Sequence, residues 1–140
     1  MADQAQRLRA LRERPSAIRT IAFTSGKGGV GKSTLVVNLG LVLARQGVRV
    51  GIFDGDFGLA NLDVLLGLTP KHTLRDVIEG DLSLREIMIS GPYGLQILPA
   101  SSGIEALANL DADRRDRLVA KLSTLDECID VLLVDTAAGI

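Results

Sequence analysis

A glycine-rich run near the amino terminus has the residue types and the spacing that bind phosphate. It fits the pattern G-x-x-x-x-G-K-[ST] and reads Gly26-Lys27-Gly28-Gly29-Val30-Gly31-Lys32-Ser33. Glycines let consecutive backbone N–H groups turn inward around an anion, because no Cβ stands in the way. In this pattern Lys32 supplies a positive charge to the β- and γ-phosphates, and Ser33 supplies a hydroxyl ligand to Mg²⁺. The run therefore predicts a site for a magnesium-bound nucleoside triphosphate.

Three aspartates are candidates for the acidic groups that such a site needs. Asp135 follows an apolar run at the tip of a predicted strand, where the carboxylate opposite the serine is expected. Asp54 and Asp56 follow another apolar run, so they belong to the same carboxyl edge of a parallel sheet. One of these two could orient an attacking water. The alternative is that they only cap the next helix, and the spacing alone does not decide between the two.

The elements that must position these residues alternate between strand and helix. The apolar runs predict strands at 18–24, 48–53, 95–98 and 129–134. Helical periodicity and capping residues predict helices at 32–46, 61–66, 73–79, 83–89, 104–110 and 113–125. Continuous apolar strands alternating with helices indicate an α/β fold with a parallel sheet covered on both faces. The glycine run then lies between a strand and a helix, which disfavours a simple connecting turn.

Composition excludes several classes of protein. The chain has 140 residues and a formal net charge of −1, which suggests about one domain. A single cysteine, Cys128, excludes an internal disulfide framework and a multi-cysteine metal site within one chain. No apolar run is long enough to span a membrane, and the first residues are too polar for a signal peptide, so we expect a cytoplasmic protein. Aromatic residues make up only 3%, so direct nucleic-acid binding by base stacking is not expected.

The chain divides into two parts. Residues 1–17 are predicted to form a basic helix and a linker, and residues 18–140 a partial nucleotide-binding domain. Residues 1–19 contain five arginines against two acidic residues, so this leader could meet an anionic surface or a partner, or be a solvated arm. The last predicted strand is not followed by a covering helix, and we therefore expect a fragment truncated after that strand.

The motifs resemble those of the MinD/ParA family of P-loop ATPases over essentially the whole chain. Lys27, the second residue of the loop, makes it similar to the deviant Walker A sequence KGGVGKST. Residues 54–67 resemble the switch I segment of that family, and residues 135–139 resemble its Walker B and switch II. Residues 3–9 resemble the tail motif DQAxxLR of the flagellar FlhG (FleN, YlxH) branch.

The family resemblance implies a P-loop NTPase fold, ATP and Mg²⁺ as cofactors, and an ATP-dependent homodimer. It implies that Lys27 reaches across the dimer to the partner's phosphates, that Asp56 positions the attacking water, and that Asp54 is structural or acts indirectly. Ser33 and Asp135 would lie at the metal, and Lys32 at the phosphates. The residues implied to bind the nucleotide are Gly26, Lys27, Gly28, Gly29, Val30, Gly31, Lys32, Ser33 and Thr34.

The branch resemblance implies control of flagellar number or placement. There Gln4 would stimulate GTP hydrolysis by an FlhF-type GTPase, and a flagellar switch or transcriptional regulator could be a further partner. Reversible membrane association would depend on a carboxyl-terminal part outside this chain. A membrane-contacting leader helix is the alternative for residues 1–17. For the whole chain the alternatives are a chromosome- or plasmid-partitioning ATPase, or a non-catalytic fragment that acts only through its leader.

Overall fold

The computed structural model of the chain describes residues 18–55, 66–100 and 110–136. Two 3₁₀ turns, Pro92–Gly94 and Thr124–Glu127, join some of the longer elements. In chain order those elements are β1 (Arg19–Phe23), α1 (Lys32–Arg45), β2 (Val50–Gly55), α2 (Leu74–Glu79), α3 (Leu84–Ile87), β3 (Ile89–Ser90), β4 (Gln96–Pro99), α4 (Ala112–Ser123) and β5 (Val131–Thr136).

Within these ranges the strands form one sheet in the order β1-β5-β2-β4-β3. The first four of these strands are parallel, which confirms the predicted α/β class, and β3 is antiparallel to β4. The strand β5 lies between β1 and β2, so Asp135 is in register with Phe23 on one side and with Asp54 on the other. The sheet therefore brings the carboxyl ends of β1, β5 and β2 side by side.

Apolar side chains cover both faces of the sheet at β2 and β5. On one face α1 packs against the sheet through a cluster with Val36, Val37, Val50, Ile52, Leu95 and Leu133. On the other face the buried cluster includes Leu74, Val77, Leu84, Ile87, Leu98, Leu118, Leu125 and Leu132. The helix α1 lies very close to the strands, because a Cβ added at Gly40 would stand 3.0 Å from Ile52 Cδ1. Burial on both faces explains the continuous apolar sequences of β2 and β5. The strand β1 is predicted to be covered as well, but Arg19–Ala22 are exposed and only Phe23 is half-buried.

Capping residues fix several helix ends, of which the sequence predicts the start of α2 at Thr73 and the stop of α1 at Gly47. The Thr73 N–H donates to the Asp76 carboxylate (2.8 Å) at the start of α2, and Asp111 accepts the Arg114 N–H (2.8 Å) at the start of α4. A positive φ of 86° at Gly47 ends α1. No helix in the described part of the chain is long and apolar enough to cross a bilayer.

Other boundaries differ from the prediction. The strands β2 and β5 begin at Val50 and Val131, two residues later than predicted. The helix predicted at 83–89 ends at Ile87, because Ile89 joins β3, a two-residue strand that the sequence does not reveal. Most of the helix predicted at 61–66, most of that at 104–110, and all of the leader 1–17 lie outside the described residues.

Candidate functional site

The glycine-rich loop joins β1 to α1 over residues 24–31, as the sequence predicts. Gly29 (φ 72°) and Gly31 (φ 89°) adopt the left-handed conformation that other residues adopt only with strain. A Cβ at either position would meet no heavy atom within 4 Å. The backbone conformation, and not a lack of space, therefore requires glycine here. The open space beside both residues leaves the loop backbone accessible to a ligand.

Three predicted site residues from opposite ends of the sequence meet at the start of α1. The Lys32 ammonium forms an ion pair with Asp135 Oδ1 and also donates to the Thr136 carbonyl. The Ser33 hydroxyl donates to Asp135 Oδ2 (2.6 Å). The Asp135 side chain is fully buried and the Lys32 side chain is 9% exposed. The serine, the lysine and the aspartate therefore form one hydrogen-bonded group.

The positive charge of Lys32 balances the negative charge of Asp135. The Lys32 ammonium still has one N–H donor for an anion. One ammonium faces one carboxylate, and removal of either partner from a buried pair costs about 3–5 kcal/mol. An ammonium has three N–H donors, of which Asp135 and Thr136 take two. The remaining donor suits a phosphate oxygen at the loop.

The oxygens of Ser33 and Asp135 fit a magnesium ion. Mg²⁺ prefers oxygen ligands, takes few of them from the protein and keeps several waters. The Ser33 hydroxyl and the Asp135 carboxylate lie within 2.6 Å of each other at the amino end of α1. Both residues could hold Mg²⁺ between the loop and β5.

Asp54 is buried beside this group. Its residue is 7% exposed, and it pairs in register with Asp135 on the neighbouring strand. Residues 50 and 52 of β2 and residue 133 of β5 belong to the cluster on the α1 face, so strand alternation places Asp54 and Asp135 on that face too. The Asp54 carbonyl also accepts the Ala100 N–H (3.2 Å), which ties β2 to the end of β4. This position suits the supporting role that the resemblance implies, which stays a prediction.

The remaining predicted residues lie apart from the buried group. Lys27 and Val30 are exposed on the loop, Val30 to 61%, and Thr34 is exposed in the first turn of α1. The Lys27 carbonyl accepts the Ser25 hydroxyl (2.8 Å), a contact that shapes the first half of the loop. Asp56 and Gln4 lie outside the described residues.

Thr136 is a site residue for which the sequence gives no role. Its hydroxyl donates to the Phe23 carbonyl (2.7 Å), and its own carbonyl accepts from Lys32. The sequence signal is that it follows Asp135 directly, within residues 135–139, which resemble the Walker B and switch II segment. A threonine at the end of an apolar strand has no pattern that would predict either contact.

Comparison with known proteins agrees with this geometry. A family model described as "ParA: NUBPL iron-transfer P-loop NTPase" matches residues 16–88, the part that contains β1, the loop and α1. The chain belongs to the MinD/ParA family of P-loop NTPases. It is 52% identical over 123 residues to the antiactivator FleN of Pseudomonas aeruginosa, and 42% identical over 121 residues to the flagellum site-determining protein YlxH of Helicobacter pylori. These matches cover 88% and 86% of this chain but 44% and 41% of the two relatives, so this MinD/ParA chain spans less than half their length.

Solved structures of MinD/ParA relatives show the same fold. The MinC:MinD cell division complex of Aquifex aeolicus matches with a TM-score of 0.69 and 36% identity, over 87% of this chain and 48% of that chain. Cobyrinic acid a,c-diamide synthase of Mycobacterium smegmatis, with a bound ATP analog and magnesium, matches with a TM-score of 0.72 and 32% identity. That match covers 86% of this chain and 51% of the synthase chain. The predicted family and fold class are confirmed.

Proposed function

We propose that this chain is the phosphate-binding part of a MinD/ParA-type ATPase switch that uses ATP and Mg²⁺. The observation that carries the proposal is the meeting of Lys32, Ser33 and Asp135 at the end of a glycine-rich loop. An ATP analog and magnesium in the related synthase from M. smegmatis support it.

Each residue has a defined part in the proposed reaction. The backbone of the loop and the Lys32 ammonium bind and orient the phosphates. Ser33 and Asp135 would hold Mg²⁺, which would supply positive charge against the phosphates. Asp56 orients the attacking water, and the buried Asp54 supports the adjoining strand end.

Binding of MgATP to the 140-residue chain, measured by calorimetry, tests this proposal. We expect saturable binding by the wild type, weakened about 10–100-fold in Lys32→Ala, because that variant loses a charge-assisted contact to phosphate. Lys71→Ala removes an exposed lysine outside the site and is the matched control. The proposal is wrong if the folded wild type binds no MgATP or if both variants bind as the wild type does. Ser33→Ala replaces Lys32→Ala if loss of the buried pair prevents folding.

We further propose that ATP favours a homodimer in which Lys27 acts across the interface. Lys27 and Val30 are both exposed on the loop, so a second copy could contact them. In that dimer the Lys27 ammonium neutralises transition-state charge on the partner's phosphates, as an arginine finger does.

Kinetics on the complete gene product test the role of Lys27. Removal of one electrostatic group that acts on the transition state lowers turnover by about 100-fold or more. We therefore expect the Lys27→Ala protein to bind ATP with wild-type affinity but to lose turnover. The Lys71→Ala protein should match the wild type in both affinity and turnover. Unchanged turnover in Lys27→Ala would show that the lysine does not act in this way.

The biological role that we propose is control of flagellar number or placement. FleN is described as an antiactivator and YlxH as flagellum site-determining, and both match most of this chain. The proposed partner is an FlhF-type GTPase that Gln4 stimulates, since a carboxamide can orient an attacking water. We place the protein in the cytoplasm, with reversible membrane association in the complete gene product and a flagellar switch or transcriptional regulator as a further partner.

A matched pair of leader variants tests the role of Gln4. GTP hydrolysis by the FlhF-type GTPase is measured with the wild-type chain, with Gln4→Ala and with Gln6→Ala. We expect the wild type and Gln6→Ala to stimulate hydrolysis and Gln4→Ala to fail. Equal stimulation by both variants would exclude Gln4 as the stimulating residue.

A further inference from the structure

The last residue of β5 contacts both ends of the phosphate loop. The loop runs between Phe23, the last residue of β1, and Lys32, the first residue of α1. The Thr136 hydroxyl donates to the Phe23 carbonyl (2.7 Å), and the Thr136 carbonyl accepts from the Lys32 ammonium. A single residue therefore holds the chain where the loop begins and where it ends.

The contact with Phe23 lies beyond the regular pairing of the two strands. The register of β1 and β5 ends with Phe23 opposite Asp135, so the Thr136 side chain bonds one step past the last pair. On the other side β5 continues beside β2, where Thr136 is opposite Gly55. The Thr136 hydroxyl therefore adds a side-chain hydrogen bond to the end of β1, next to the last pair of the ladder.

We propose that Thr136 is a positioning residue that fixes the distance between the two ends of the phosphate loop. Its β-branched side chain is stiff about χ1, which holds the hydroxyl toward the Phe23 carbonyl. Its main-chain contact with Lys32 persists whatever side chain is present. Substitution of the side chain therefore releases the beginning of the loop and leaves the end in place.

Hydrogen exchange without nucleotide tests this inference independently of activity. Thr136→Val keeps the shape and removes the donor, whereas Thr136→Ser keeps the donor. Loss of one hydrogen bond corresponds to about fivefold in an opening equilibrium. We expect about fivefold faster exchange at the end of β1, residues 21–23, in Thr136→Val and near wild-type exchange in Thr136→Ser.

Controls separate positioning from overall stability. Thr20→Val removes an exposed hydroxyl from β1 away from the loop and should leave the exchange unchanged. Faster exchange spread evenly over all elements of Thr136→Val, or none at the end of β1, would overturn the inference. If the valine variant does not fold, Thr136→Cys, a weak donor, should give exchange at the end of β1 between that of wild type and that expected for loss of the bond.

The inference rests on the proposed function only for its second readout, MgATP affinity. We expect Thr136→Val to weaken binding about fivefold and Thr136→Ser to bind within about twofold of wild type. If the wild type binds MgATP and Thr136→Val binds equally well, the positioning role is wrong. If the wild type itself binds none, the proposed function is wrong, and the exchange result still decides on Thr136.

Discussion

Lys32 connects the phosphate loop to β5, which lies between β1 and β2 in the described sheet. Its ammonium is shared between the Asp135 carboxylate and the Thr136 carbonyl, and its side chain is 9% exposed. A lysine held in this way is oriented before any phosphate arrives, which lowers the entropy that binding must overcome. Its neighbour Ser33 is held by the same aspartate.

At the residue scale, Gly31 and Gly26 should respond differently to the same substitution. Gly31 has a φ of 89°, Gly26 has no positive φ, and neither position has a heavy atom within 4 Å of an added Cβ. Gly31→Ala should therefore lower the free energy of unfolding by about 1 kcal/mol through backbone strain alone. Gly26→Ala should be neutral or slightly stabilising. Urea denaturation measures both, and equal destabilisation of the two variants would contradict this account of the loop.

At the element scale, an ion pair joins the amino ends of β2 and β5, opposite the phosphate site. Arg49 precedes β2, and its Nη2 and Nε donate to the two carboxylate oxygens of Asp130 (2.6 and 3.1 Å). Its Nη1 also donates to the Glu127 carbonyl (2.6 Å). The hydrogen bonds from Arg49 hold the pKa of Asp130 below its ordinary value of 3.8.

This pair predicts a change in stability with pH. A carboxylate whose pKa is lowered by folding stabilises the folded state above its ordinary pKa, and this contribution is lost as the pH falls through the lowered pKa. Thermal unfolding of Asp130→Asn should therefore show a weaker loss of stability below about pH 4 than the wild type shows. Asp113→Asn, on the exposed surface of α4, is the control. Parallel acid profiles for Asp130→Asn and the wild type would contradict the prediction.

Local sequence signals predict most of the helices and strands. The order of the strands depends on pairing between distant segments, and the sequence does not predict it. Gly47 and Thr73 lie at helix ends that the sequence marks with a stop and a cap, whereas the cap at Asp111 is not marked in the sequence. The position of β5 between β1 and β2 depends on pairing between distant segments, which no local pattern contains. The motif predicts Lys32, Ser33 and Asp135 as site residues, whereas the contacts of Thr136 exist only once the strands are paired.

At the scale of the whole molecule, β1 forms an open edge in the described part of the chain. It pairs with β5 on one side, and no strand among the described residues pairs on the other. Ile21 is 45% exposed there, although strands of parallel sheets are usually covered on both faces. Unpaired strand edges promote association with other chains.

The exposed side chains of β1 predict self-association of the 140-residue chain. A charge on an edge strand opposes edge-to-edge pairing, so Ile21→Lys should shift the equilibrium toward monomer. Val119→Lys adds the same charge at a 58% exposed site on α4 and should leave the monomer equilibrium unchanged. Sedimentation over a range of concentrations measures both. Identical behaviour of the two variants would mean that the edge of β1 does not drive association.

The Mg²⁺ dependence of ATP binding tests the central claim most directly, since it probes the contact between Ser33 and Asp135 itself. The chain is titrated with ATP in the presence and absence of Mg²⁺, as wild type and as Ser33→Ala. If these residues form the metal part of one phosphate site, Mg²⁺ tightens binding to the wild type about tenfold or more, equivalent to about 1.4 kcal/mol, and most of that gain disappears in Ser33→Ala. The same gain from Mg²⁺ in both proteins would contradict the account.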